Sequence, residues 1–167
     1  MNVYTKIRLA LKWAIIFTIM SLAWMLLEKT LGWHDEGIAD HKWLTLFFLP
    51  FSLIMYWLAM REIRRRVYQK EITWGQSFVS GLILTVFIVL LSPIAQFITH
   101  NYITPEYFET VINYSVTNDL MKIEEANNYF NINNYRWQAA IGAFVGGTIT
   151  AAILALFLRT AHKKKLD

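Results

Sequence analysis

Four apolar runs divide the chain, at residues 9–27, 43–60, 78–98 and 137–158, and the polar residues gather between them. Lys12 is the only charge in the first run, and the other three contain none. Each run falls in the ~17–25 residue range that crosses a bilayer as a helix. A soluble four-helix bundle would need a polar face on every helix, and three uncharged runs leave no room for one. The pattern predicts an all-α polytopic membrane protein, a single domain over residues 1–167 with four transmembrane helices. Residues 99–136, between the third and fourth runs, are long enough for two short helices. One starts at Thr104-Pro105-Glu106, with Thr as N-cap and Pro at the first helical position. It places Phe108, Val111, Ile112 and Ser115 on one face. The other covers residues 123–130 and ends in the Asn-rich residues 131–134.

Charge turns this pattern into a topology. Of 16 Lys and Arg residues, five (Arg61, Arg64, Arg65, Arg66 and Lys70) lie in the short turn between the second and third runs. Lys6, Arg8 and Lys12 sit at the start, and Arg159, Lys163, Lys164 and Lys165 at the end. Only Lys29, Lys42, Lys122 and Arg136 lie elsewhere, whereas nine of the 12 acids do. Positively charged short loops are retained in the cytoplasm, so both termini are expected inside and residues 99–136 outside. Arg61, Arg64, Arg65, Arg66, Lys70, Lys163, Lys164 and Lys165 then set topology and meet anionic lipid headgroups on the cytoplasmic side. The formal charge of +4 arises from residues flanking apolar runs, which argues for lipid and against nucleic acid as the partner. The first run reads as a signal anchor, because no Ala-x-Ala-like site follows Leu27. With no Cys in the chain, disulfides and thiol chemistry are excluded.

Three features carry candidate function. In the fourth run, Ala139, Ala143, Gly147, Ala151 and Ala155 recur every four residues, beside a second row of Gly142, Gly146 and Thr150. Small residues let helix backbones approach closely in lipid, so this helix is expected to pack on the third, or against a membrane-protein partner or a second copy. Pro50 and Pro93 should each kink a span, opening an outward cavity lined in part by Ser92 and Gln96. Finally, His34 and His41 lie in an acidic segment with Asp35, Glu36 and Asp40, and His100, at the outer end of the third helix, is expected at a similar height. Three imidazoles with carboxylates are zinc-ligand chemistry, but no His-Glu-x-x-His spacing is present. The preferred account is a loop held by aspartate and histidine around a turn.

The second run continues into Arg61-Glu62-Ile63-Arg64-Arg65-Arg66 and then Ile72-Thr73-Trp74-Gly75-Gln76-Ser77-Phe78-Val79-Ser80-Gly81. With Leu31-Gly32-Trp33-His34-Asp35-Glu36 and Ile103-Thr104-Pro105-Glu106-Tyr107-Phe108, these stretches resemble the family catalogued as domain of unknown function 4199. The resemblance implies a four-span protein of the bacterial inner membrane and carries no activity. Lys122 departs from the family pattern, in which a Ser or Thr cap would precede Ile123-Glu124-Glu125. The reading is therefore a non-enzymatic accessory or scaffolding subunit without cofactors. Its alternatives are a small transporter or pore with an outward cavity, and an outward-facing metal-dependent enzyme.

Overall fold

A computed structural model describes residues 3–160; Lys163, Lys164 and Lys165 lie outside the described residues. The described chain is all-helical. Helix α1 (Val3–Thr30) leads through a turn-rich segment to α2 (His41–Leu44), a 3-10 turn (Thr45–Phe47) and α3 (Phe48–Val67). Helix α4 (Trp74–Ile98) runs into a π-helical turn (Thr99–Ile103). The short helices α5 (Tyr107–Thr117) and α6 (Ile123–Tyr129) follow, then α7 (Ile132–Leu158). Among the described residues, four stretches are long and apolar enough to cross a membrane: Val3–Thr30, His41–Val67, Trp74–Ile103 and Ile132–Leu158.

These spans are longer than the apolar runs because hydrogen-bonding residues, not charges, end them. Gly32, at φ +73°, stops α1: its N–H donates to the Lys29 carbonyl, and the Trp33 N–H to that of Glu28, both at 3.0 Å. This six-to-one and five-to-two pairing needs a left-handed residue after the helix, which glycine adopts without a Cβ penalty. Thr73 caps α4: its hydroxyl accepts from the Gln76 N–H (3.2 Å) and its own N–H donates to Gln76 Oε1 (3.0 Å), a capping box. Asn131 Oδ1 accepts from the Asn134 N–H at 3.0 Å, so the Asn-rich stretch opens α7 five residues before its apolar run. At α6 the Lys122 N–H donates to Glu125 Oε2 (3.3 Å), so the helix begins there on half of that box. Helix α5 starts at Tyr107 with no side-chain cap. Its buried line is Tyr107, Val111 and Ser115, with Phe108 and Ile112 half-buried beside it.

The prolines act four residues upstream of themselves. A proline ring crowds the carbonyl at i−4 and leaves it without an amide donor. For Pro50 that carbonyl belongs to Leu46, inside the 3-10 turn. For Pro93 it belongs to Val89, which instead accepts from the Ser92 hydroxyl at 2.9 Å. The Ser92 hydroxyl is thus engaged within helix α4.

The core forms around α4, which packs on α7 and α1. A Cβ at Gly81 would lie 2.5 Å from that of Ala151, and one at Gly147 would lie 2.3 Å from Tyr56 Oη. Tyr56 and Thr85, both buried, share a 2.9 Å hydrogen bond. Thr85 donates in turn to the Gly81 carbonyl (3.0 Å), so Tyr56 is the donor to Thr85. Exposed Ile15, Ile19, Leu90, Ile94, Ile149 and Phe157 give the bundle the apolar exterior that lipid requires and water does not.

Both ends of the described chain meet the basic turn. Glu62 binds Lys12, accepts from Trp13 Nε1 at 2.6 Å and pairs with Arg66 Nε at 2.9 Å. After α7, the Thr160 N–H donates to the Ile72 carbonyl (2.8 Å), and the Ile72 N–H donates to Thr160 Oγ1 (2.9 Å). The turn is closed by Gln69 and Lys70 at positive φ and by Arg64 Nε donating to the Lys70 carbonyl (3.0 Å). This is the basic end; the α1–α2 connection and the α4–α7 segment lie at the opposite, distal end.

Candidate metal centre

Because α1 runs past its apolar run to Thr30, Glu28 is not a loop residue. It is fully buried, with 0% of its surface exposed, at the distal end of the helix. A carboxylate in such a place costs several kcal/mol unless its lone pairs are matched. Glu28 Oε1 accepts from the Trp24 indole N–H one turn earlier. Oε2 faces two imidazoles, His34 Nε2 at 3.1 Å and His41 Nε2 at 3.2 Å. The Gly32 turn reverses the chain so that His34 returns over the helix end, and α2 starts at His41 and presents it from the other side. Three local elements therefore converge on one carboxylate oxygen.

One ligating atom from each of Glu28, His34 and His41 lies within 4.8 Å of the other two. In a tetrahedral site with bonds of ~2.0–2.1 Å, the ligand atoms stand about 3.3 Å apart. The two oxygen-to-nitrogen separations thus already match two edges of a zinc tetrahedron. The surroundings supply an outer shell. His41 Nδ1 lies 3.2 Å from Tyr107 Oη, which is 3.4 Å from Tyr135 Oη. Burial, then the neighbouring Tyr135 and the Glu28 carboxylate, hold the Tyr107 phenol above its ordinary value. It stays a neutral hydroxyl that fixes the His41 ring through its far nitrogen, as second-shell partners of metal-bound histidines do.

A cavity of about 160 Å³ adjoins the cluster, lined by His34, His41, Gln96, His100, Tyr107 and Tyr135 among others. His34, only 2% exposed, keeps its Nδ1 buried without a hydrogen-bond partner, and His100 Nδ1 is in the same position. The structure brings His34 and His41 together. It puts His100 at the cavity wall, where its Nε2 faces Gln96 Oε1 at 3.1 Å and its ring stacks on Phe108 at 4.4 Å between centroids. The loop-holding carboxylate is Glu28 rather than Asp35 or Asp40. Sequence reasoning missed Glu28 because it stood just past an apolar run. The usable signal was Gly32, a helix stop four residues further on.

The other singled-out residues divide by face. On α7, Gly147, Ala151 and Ala155 are buried, and Ala139 and Ala143 half-buried. Gly142 and Gly146 have nothing within 4 Å of a Cβ position and line an open groove of about 300 Å³ with Phe17, Phe48 and Leu49. Arg61, Arg65, Arg66 and Lys70 are exposed at the basic end, with Arg64 half-buried.

No curated protein and no solved structure matches the chain. A family model described as "Protein of unknown function (DUF4199)" matches residues 12–160, which include the cluster and all but the start of α1, and the chain belongs to that family.

Proposed function

We propose that this is a non-enzymatic accessory protein of the bacterial inner membrane, with both termini cytoplasmic, whose outward end binds a divalent transition-metal ion through Glu28, His34 and His41. One observation carries the reading: a fully buried carboxylate oxygen lies within 3.2 Å of two imidazole nitrogens drawn from separate elements. Two neutral imidazoles and a carboxylate suit zinc and its neighbours in the first transition row. The role is architectural. The ion joins the end of α1, the turn after it and the start of α2, and so fixes how the first two spans meet. The fourth position falls to water from the adjoining cavity.

The full chain, purified in mild detergent through an affinity tag without histidine, should retain about one equivalent of zinc by elemental mass spectrometry after incubation and desalting. Glu28→Gln and His41→Ala should each retain less than about a tenth of that. Wild-type protein that comes out of zinc incubation metal-free would refute the assignment.

A further inference from the structure

A second site lies at the basic end. A cleft of about 380 Å³ opens there between α1 and α3, lined by Tyr4, Thr5, Arg8, Lys12, Glu62 and Arg66 among others. Tyr4, Arg8 and Lys12 stand four residues apart and so share one helix face. The cleft holds three cations and one carboxylate. That carboxylate is already committed, since Glu62 pairs with both Lys12 and Arg66. Arg8 is exposed and makes no ion pair with any described residue. Its guanidinium presents the fork of N–H donors that matches two phosphate oxygens, and the cleft keeps a net positive charge.

We propose that this cleft binds the phosphodiester headgroup of an anionic phospholipid, with Arg8 as its main contact and Arg66 and Lys12 closing the sides. Two features select lipid over free phosphate. Trp13, one residue beyond Lys12, turns its indole N–H to Glu62, placing an amphipathic ring at interface depth. On the same face of α1 as Arg8 and Lys12, Leu11, Ile15 and Ile19 form an exposed apolar row, a track for the acyl chain of a bound lipid. Basic pockets between membrane helices are a recurrent setting for such headgroups.

The test is native mass spectrometry of the full chain in mild detergent, titrated with dioleoyl phosphatidylglycerol or dioleoyl phosphatidylcholine. Wild type should bind the anionic lipid preferentially, and excess inorganic phosphate should leave that binding in place. Arg8→Gln should weaken it about fivefold, the loss of one interfacial cation. Arg159→Gln, at the same end but outside the cleft, should change it less than about twofold. Equal losses in the two variants would replace the cleft with diffuse attraction, and displacement by inorganic phosphate would replace the lipid with a free anion. Equal binding of both lipids by wild type would overturn the proposal without reference to any variant.

Discussion

Glu28 and Glu62 are carboxylates close to the two ends of the first two spans, and they are matched in opposite ways. Glu62 pairs with the permanent cations Lys12 and Arg66, whereas Glu28 meets the Trp24 indole, two imidazoles and the Thr45 hydroxyl, with no Lys or Arg paired to it among the described residues. That difference makes Glu28 the place where a divalent ion would relieve a buried negative charge, and it gives Tyr107 a measurable role. Tyr107→Phe removes the hydroxyl that orients His41 and leaves the ring packing against His34 and His41 intact. Zinc affinity, read by competition with a chelating dye, should fall about 10–100-fold, while the unfolding temperature of the metal-free protein stays the same. The pH dependence has a defined sign. Protons compete for imidazole nitrogens, so affinity should decline as pH falls. The raised phenol stays protonated on the alkaline side, so the hydroxyl contribution should persist to at least its ordinary value of ~10. An affinity indifferent to acid would exclude imidazole ligation.

At the scale of the helix, α7 carries two small-residue rows with opposite surroundings. A methyl group at Gly147 would fall 2.3 Å from Tyr56 Oη and 2.7 Å from Thr85 Oγ1, atoms already tied to each other. Gly147→Ala should therefore destabilise the bundle by about 1–3 kcal/mol through overpacking. Gly146→Ala meets open space and should be neutral or stabilising by up to ~1 kcal/mol, the helix-propensity difference. Unfolding titrations of both variants in mixed micelles check the contrast, and equal effects would show that α7 is rotated on its axis. The repeat that marks this helix as closely packed was legible in the sequence; which row faces inward was not, because both have the same period. Helix ends differ from the apolar runs for a related reason. Apolar runs mark hydrocarbon, while Gly32, Thr73 with Gln76, and Asn131 mark where the backbone hydrogen bonds stop. The two boundaries differ by several residues at each end of α1. Glu28 lies in that difference, so four spans could be read directly while the site at the end of one of them could not.

For the molecule as a whole, the contacts gather the start of α1, the α3–α4 turn and the end of α7 at one end, held by Glu62 and Thr160. Such a bundle has two faces of unlike charge, because the basic block and the acidic segments belong to opposite ends. In the orientation proposed above, with short cationic loops retained inward, the Glu28 cluster would face outside and the Arg8 cleft the inner leaflet. Both proposed sites depend on this orientation in a cell, and labelling can settle it because the natural chain has no cysteine. Glu71→Cys places an exposed thiol in the basic turn, and Asn127→Cys places one on exposed α6. In intact spheroplasts a membrane-impermeant maleimide should modify the α6 cysteine and leave the turn cysteine unmodified until the membrane is permeabilised. The reverse pattern would put the imidazoles in the cytoplasm, where free zinc is scarce, and Arg8 in the outer leaflet. Reaction of both thiols before permeabilisation would break the four-span topology itself, since a single crossing, that of α4, separates the basic turn from α6.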